Sequence, residues 1–146
     1  MRIYMDVCCL NRPFDEQSQD RIYLEAETIL AILPHCQNGE WTLVTSDIVD
    51  FELSGMKNLT KLQKVRGICS IAKERITSTQ EVRDLSKSYQ NDGVKLVDSL
   101  HLALCETYGV EILLSTDDQF IRAAARIKTN TRVINPVTWL MEVNRK

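Results

Sequence analysis

No stretch of this 146-residue chain approaches the roughly 20 consecutive apolar residues that a membrane helix requires, so the sequence predicts no transmembrane segment. The first residues carry one arginine and then a strand-like run, Arg2-Ile3-Tyr4-Met5, without the zones of a signal peptide. A cytoplasmic location is the resulting expectation. No C-x-x-C pair occurs. The five cysteines (Cys8, Cys9, Cys36, Cys69 and Cys105) are odd in number, and adjacent Cys8 and Cys9 are poorly placed to bridge each other. Without ligand pairs at zinc spacing, the cysteines read as reduced, mostly buried thiols. His35 beside Cys36 does not change that. Internal repeats, low-complexity tracts and linkers are missing as well. A chain of this length without them reads as one domain over 1–146, long enough to bury about two-thirds of its unfolded surface.

The apolar fraction of 44% and the charged fraction of 26% are those of an ordinary soluble globule. The net charge of −2 hides a polarity. From Met56 to Ile76 the chain holds Lys57, Lys61, Lys64, Arg66, Lys73 and Arg75 against Glu74 alone. That segment carries +5 and the remainder −7. A basic patch on an acidic body can bind a polyanion.

Hydrophobic periodicity then orders the chain. Residues 2–6 read as a buried strand, followed by a polar stretch from Asn11 to Ser18. Ile22, Ala26, Ile29, Leu30 and Leu33 recur at helical spacing over about 19–37. Pro34 should kink or end that helix, and Asn38-Gly39 is a stop signal. Residues 41–45 read as a second strand. Ser46 is a good N-cap for a helix from Asp47 to about Gly55. Another helix is expected over about 60–72, with Lys57, Lys61 and Lys64 sharing its outer face or that of its approach. Further elements are a short strand at 75–78, a polar helix capped by Thr79, and a helix from about Leu96 to Tyr108 stopped by Gly109. A strand at 111–115, a helix at 117–127, a strand at 132–134 and a closing helix opened by Pro136 complete the order. Repeated strand-then-helix order predicts an α/β fold, a three-layer α/β/α sandwich around a mostly parallel sheet of four or five strands.

Four acids stand at strand ends or helix starts in that scheme: Asp6, Glu52, Asp98 and Asp117. In a parallel sheet such places share one edge, where the carboxyl ends of the strands form a crevice. Carboxylates gathered there repel one another unless a cation sits among them. Mg²⁺ or Mn²⁺ is the hard, oxygen-seeking ion that fits.

Single residues have structural alternatives. Glu52 competes with Asp47 and Asp50 on the same segment; Asp47 lies in a helix first turn, where it complements the dipole. Asp117 and Asp118 compete for the fourth place. Ser115 and Thr116 compete to cap the following helix or to hold a water, with Thr116 the expected cap. Asn11 and Arg12 either contact substrate or form a turn with Pro13. His101, on a mostly apolar helix, reads as a hydrogen-bonded core residue.

Met5-Asp6-Val7-Cys8-Cys9-Leu10-Asn11, Glu52 in Ser-Asp-Ile-Val-Asp-Phe-Glu-Leu, Asp98-Ser99-Leu100-His101-Leu102-Ala103 and Leu114-Ser115-Thr116-Asp117-Asp118-Gln119-Phe120 together resemble a PIN domain, in particular a VapC-like toxin ribonuclease. The resemblance runs from Arg2 to Trp139. It implies a metal-dependent endoribonuclease, with Asp6, Glu52, Asp98 and Asp117 as the catalytic and Mg²⁺- or Mn²⁺-binding acids. Ser115, at the family's hydroxyl position, Asp118 and Asn11 are supporting candidates. RNA is the implied substrate and Lys57, Lys61 and Lys64 are candidate guides for its backbone. Many such domains are toxins paired with a protein antitoxin, and many form homodimers. Cys8 departs from the family pattern, which has a small hydroxyl residue there; a thiol is the weaker hydrogen-bond partner. The same Cys8 argues against a phosphatase of the haloacid dehalogenase type, which needs a second Asp at that place. The alternative from another class is a catalytically inactive RNA-binding or regulatory module.

Overall fold

The structure, a computed structural model, describes residues 1–145. Lys146, the last residue of the expected domain, lies outside the described residues. Five strands form one sheet: β1 (Arg2–Met5), β2 (Thr42–Ser46), β3 (Glu74–Ile76), β4 (Ile112–Leu114) and β5 (Arg132–Ile134). Eight helices among the described residues flank it: α1 (Val7–Asn11), α2 (Asp20–Gln37), α3 (Asp47–Ser54), α4 (Leu59–Cys69), α5 (Gln80–Asn91), α6 (Leu96–Tyr108), α7 (Asp118–Ala125) and α8 (Pro136–Asn144). A 3-10 turn at Arg12–Phe14 links α1 to the loop before α2.

The strand order is β3-β2-β1-β4-β5, and every pairing is parallel. The five strands and the three-layer α/β/α arrangement are those expected from the sequence. β1 lies at the centre because its side chains are apolar on both faces, as a strand covered on both sides requires; Ile3, Tyr4 and Met5 are all buried. Ile3 stands opposite Leu43 on one side and Ile112 on the other. The chain leaves β1 toward β2 and later returns to the opposite side with β4. Strand order therefore reverses between β1 and β4, and this is where a parallel sheet opens a crevice at its carboxyl edge. The Asp6 amide donates to the Leu114 carbonyl (3.2 Å), extending that ladder to the edge of the crevice.

Helix starts use the local chemistry of their caps. Ser46 accepts from the Val49 amide, Thr79 from Val82, Asn58 from Lys61, and Asn135 from Val137 just ahead of Pro136. Gly109, at φ +70°, ends α6 in the left-handed region that a side chain rarely adopts. One expectation needs correction, and one element was not expected. Pro34 does not end its helix: α2 continues to Gln37, and the Asn38 amide bonds the Pro34 carbonyl. A proline this close to the C-terminus loses one amide donor but leaves the last turn to its neighbours. In addition, Val7–Asn11, which carries no amphipathic repeat long enough to read, forms a short helix capped by Asp6.

Candidate functional site

Each of the four acids reaches the carboxyl edge by a different route. Asp6 follows β1 and caps α1, so its backbone is fixed by the sheet and its Oδ1 by the Cys9 amide (3.1 Å). Asp117 follows β4 and caps α7, its Oδ1 accepting from the amides of Gln119 (2.9 Å) and Phe120 (3.3 Å). Glu52 projects from α3 and Asp98 from the first turn of α6. Asp6, Glu52, Asp98 and Asp117 line one cleft, together with Val7, Cys8 and His101.

The acids differ in their surroundings. Asp6 is 3% exposed. Burial pushes its pKa up, while Cys8, Ser115, the charge of His101 and the Cys9 amide oppose that shift. The Cys8 thiol donates to Asp6 Oδ1 at 2.9 Å. Burial, then the Asp6 charge, push the thiol to about 12, so it keeps its proton and acts as a donor. The residue at the hydroxyl position is thus a thiol that still holds Asp6. Asp98 is half-buried and accepts no side-chain hydrogen bond among the described residues. Its pKa is pushed up to about 6, first by burial and then by the charges of Asp6 and Asp117.

Glu52 is held from below. Its Oε1 meets His101 Nε2 at 2.5 Å. His101 Nδ1 in turn bonds the Tyr4 hydroxyl, which also bonds Ser46 Oγ at 2.6 Å. His101 is 1% exposed, so the hydrogen-bonded core reading describes it, but its partner is one of the acids. The sequence carried a usable signal: His101 is three residues after Asp98, a spacing that puts both on one helix face.

Other candidates lie apart from the cleft. Asp118 turns outward and forms a two-pronged contact with Arg21 (2.7 and 2.8 Å), which lowers its pKa. Asp47 accepts from the Ser78 amide and hydroxyl, and Asp50 pairs with Arg75. Asp117, not Thr116, caps α7, because its shorter path to two free amides satisfies both. Ser115 is buried and accepts from the Asp117 amide (3.1 Å), which orients that turn. Asn11 ends α1 with its Oδ1 buried and without a partner. Arg12 joins the 3-10 turn and pairs with Glu25 and Asp15. Of the three lysines, Lys61 pairs with Asp15 (2.6 Å), Lys64 sits 5.9 Å above the Phe14 ring centre, and Lys57 is exposed.

The donor set fits a hard divalent cation. It consists of carboxylate oxygens; Asp98 has both unengaged, while Glu52 Oε2 and Asp117 Oδ2 are free of hydrogen bonds among the described residues. No three His, Cys, Asp or Glu side chains among the described residues converge into a ready cage. Mg²⁺ does not require one, since it typically binds through one or two carboxylates and keeps several waters.

No helix among the described residues is long and apolar enough to cross a membrane. The fold is similar to VapBC2 from Rickettsia felis bound to a DNA fragment from their promoter, at a TM-score of 0.61 and 14% identity over 92% of this chain and 98% of that one. It is also similar to PAE2754 from Pyrobaculum aerophilum, at a TM-score of 0.57 and 13% identity over 100% of this chain and 91% of that one. No curated protein matches the sequence. The family model described as PIN domain matches residues 6–126, from the first acid of the cleft to the end of α7. The chain belongs to the PIN domain family, whose members are generally nucleases.

Proposed function

We propose that the chain is one PIN domain over 1–146 that acts as a Mg²⁺- or Mn²⁺-dependent endoribonuclease, the toxin of a toxin–antitoxin pair. The observation that carries this reading is the meeting of four acids, spread over more than one hundred residues, in one cleft at the strand-order reversal. Asp6 and Asp98 are the most direct holders of the ion. Glu52 and Asp117 complete its surroundings through their unengaged oxygens. When bound, the ion supplies Lewis acidity, lowering the pKa of a water and neutralising charge on the phosphate. The chain's own residues do the positioning. The Cys9 amide and Cys8 thiol fix Asp6, the amides of α7 fix Asp117, and His101 with Tyr4 fixes Glu52. Asp98 lies near the other acids with a raised pKa, as expected of a group waiting for a positive neighbour.

The antitoxin is proposed from the family and from the fold's likeness to VapBC2. RNA as substrate is proposed from the family alone. Cleavage of single-stranded RNA in Mg²⁺ or Mn²⁺, absent in EDTA, tests the reading. RNA binding without cleavage under any metal condition would replace it with the inactive binding module.

A further inference from the structure

Asp98 also lines a second cleft, between the start of α6 and one face of α7. Its lining includes Gly93, Lys95, Gln119, Arg122 and Arg126. Gln119, Arg122 and Arg126 fall at i, i+3 and i+7, so α7 and its C-cap present them along one stripe. Lys95 Nζ bonds Gln119 Oε1 (3.0 Å) across the mouth, which fixes the spacing of the two helix starts. Gly93, at φ +101°, makes the turn that delivers Lys95 to that position.

Among the described residues many cations, Arg66, Arg83 and Lys87 included, form no salt bridge; what sets this groove apart is that three cations line one concavity. Arg2, Arg12, Arg21, Arg75 and Arg132 all pair with acids. Arg122 and Arg126 form no salt bridge and no side-chain hydrogen bond among the described residues, and Lys95 meets only a neutral amide. The nearest acid of α7, Asp118, is already taken by Arg21. The acid that lines the groove is Asp98, which belongs to the catalytic cleft as well. Three cations in a concave surface that shares Asp98 with the acid cleft match a chain of phosphates.

The geometry points to this groove as the seat of the RNA backbone on one side of the cleaved bond, with Arg122 and Arg126 holding phosphates and Lys95 closing over them. The inference rests on the nuclease reading and adds to it the direction from which the strand enters. It also places the main backbone contacts on α7, away from Lys61 and Lys64, whose ammonium groups already face Asp15 and Phe14.

The test compares three proteins in Mn²⁺ on a single-stranded RNA: wild type, Arg122→Gln with Arg126→Gln, and a charge-matched control, Lys87→Gln with Lys128→Gln. All four positions are on the surface, and glutamine keeps helix propensity. KM of the arginine variant should rise about tenfold or more, with kcat within about threefold of wild type. Its log–log dependence of kcat/KM on salt should be shallower by about 1.4, two contacts at roughly 0.7 each. The stabilisation of the fold by Mn²⁺ should be unchanged. The control should match wild type. An arginine variant with unchanged KM and slope, or a control with an equal defect, overturns the groove while leaving the nuclease reading in place. A wild type that never cleaves RNA overturns both.

Discussion

The acid cleft and the cationic groove share Asp98, and each gathers charges of one sign, in contrast with the ion pairs on other faces. There Lys61 pairs with Asp15, Arg75 with Asp50, and Arg21 with Asp118 and Glu25. In the acid cleft Glu52 is met by His101 and Asp117 by the amides of α7, while Asp98, common to both clefts, has no hydrogen-bond partner among the described residues. That weakens the fold at Asp98, where burial and the charges of Asp6 and Asp117 act together. The contrast separates pairs that hold the structure from groups that await a ligand. It also divides the expected roles, turnover on one side of Asp98 and affinity on the other.

The largest effect should come from Asp98→Asn. The amide keeps the shape and removes the charge that retains a cation. The kcat is expected to fall by at least about 10³-fold, the upper end for losing one electrostatic element of a site, with far-UV circular dichroism unchanged. Near-wild-type turnover would remove Asp98 from the chemistry and break the division of roles.

Metal binding gives the next effect. Binding confined to the native state adds about 2.7 kcal/mol at one hundred times Kd, read as a higher Tm in millimolar Mn²⁺ than in EDTA. The increment should shrink as pH falls through about 6, where Asp98 takes up a proton and competes with the ion. In EDTA the sign reverses. Asp98 titrates near 6 in the folded state and near 3.8 ordinarily, so the folded form binds the extra proton between those values. Stability then decreases as pH rises from about 4 to about 6, and Asp98→Asn should flatten that slope. A metal-free protein whose Tm is level across this window would contradict the crowding of the acids.

Tyr4→Phe addresses the support beneath Glu52. It leaves His101 Nδ1 buried without its partner and should cost about 1–3 kcal/mol in urea unfolding. A loss below about 0.5 kcal/mol would mean that the chain from Ser46 to Glu52 is not held together as described.

The smallest effect is expected from replacing Lys57, Lys61 and Lys64 by glutamine. Lys57 alone is unengaged, so the log–log salt slope should fall by about 0.7, one contact, and not by the roughly 2.1 of three. A full three-contact drop would move the main RNA path from α7 to α4.

Much of this was legible in the sequence, for reasons that can be named. Central strands announce themselves as apolar runs because both faces are covered, which is why Arg2–Met5 and Ile112–Leu114 stood out. Helix starts followed from Ser46 and Thr79, whose hydroxyls meet local amides. Glu52 was separable from Asp47 because a first-turn acid already has a use. What stayed hidden depended on contacts between distant residues. Nothing local reveals that Lys61 meets Asp15, that Tyr4 reaches His101 across 97 positions, or that Arg21 draws Asp118 away. The +5 segment drew attention through its density in sequence. Arg122 and Arg126 are only two cations, and only the fold brings them into one concavity with Lys95 beside Asp98.

The central position of β1 has a consequence for synthesis. β1 is synthesised before both strands that flank it, β2 and β4, and β4 arrives only with residues 112–114. Asp6 therefore exists long before Asp117 can join it. At about 5–20 residues per second, the interval between translating the two is on the order of 5 to 20 seconds. During that time the nascent chain has three acids at most and an open edge on β1. The four-acid cleft is therefore complete only after residue 117 has been translated and β4 has joined β1.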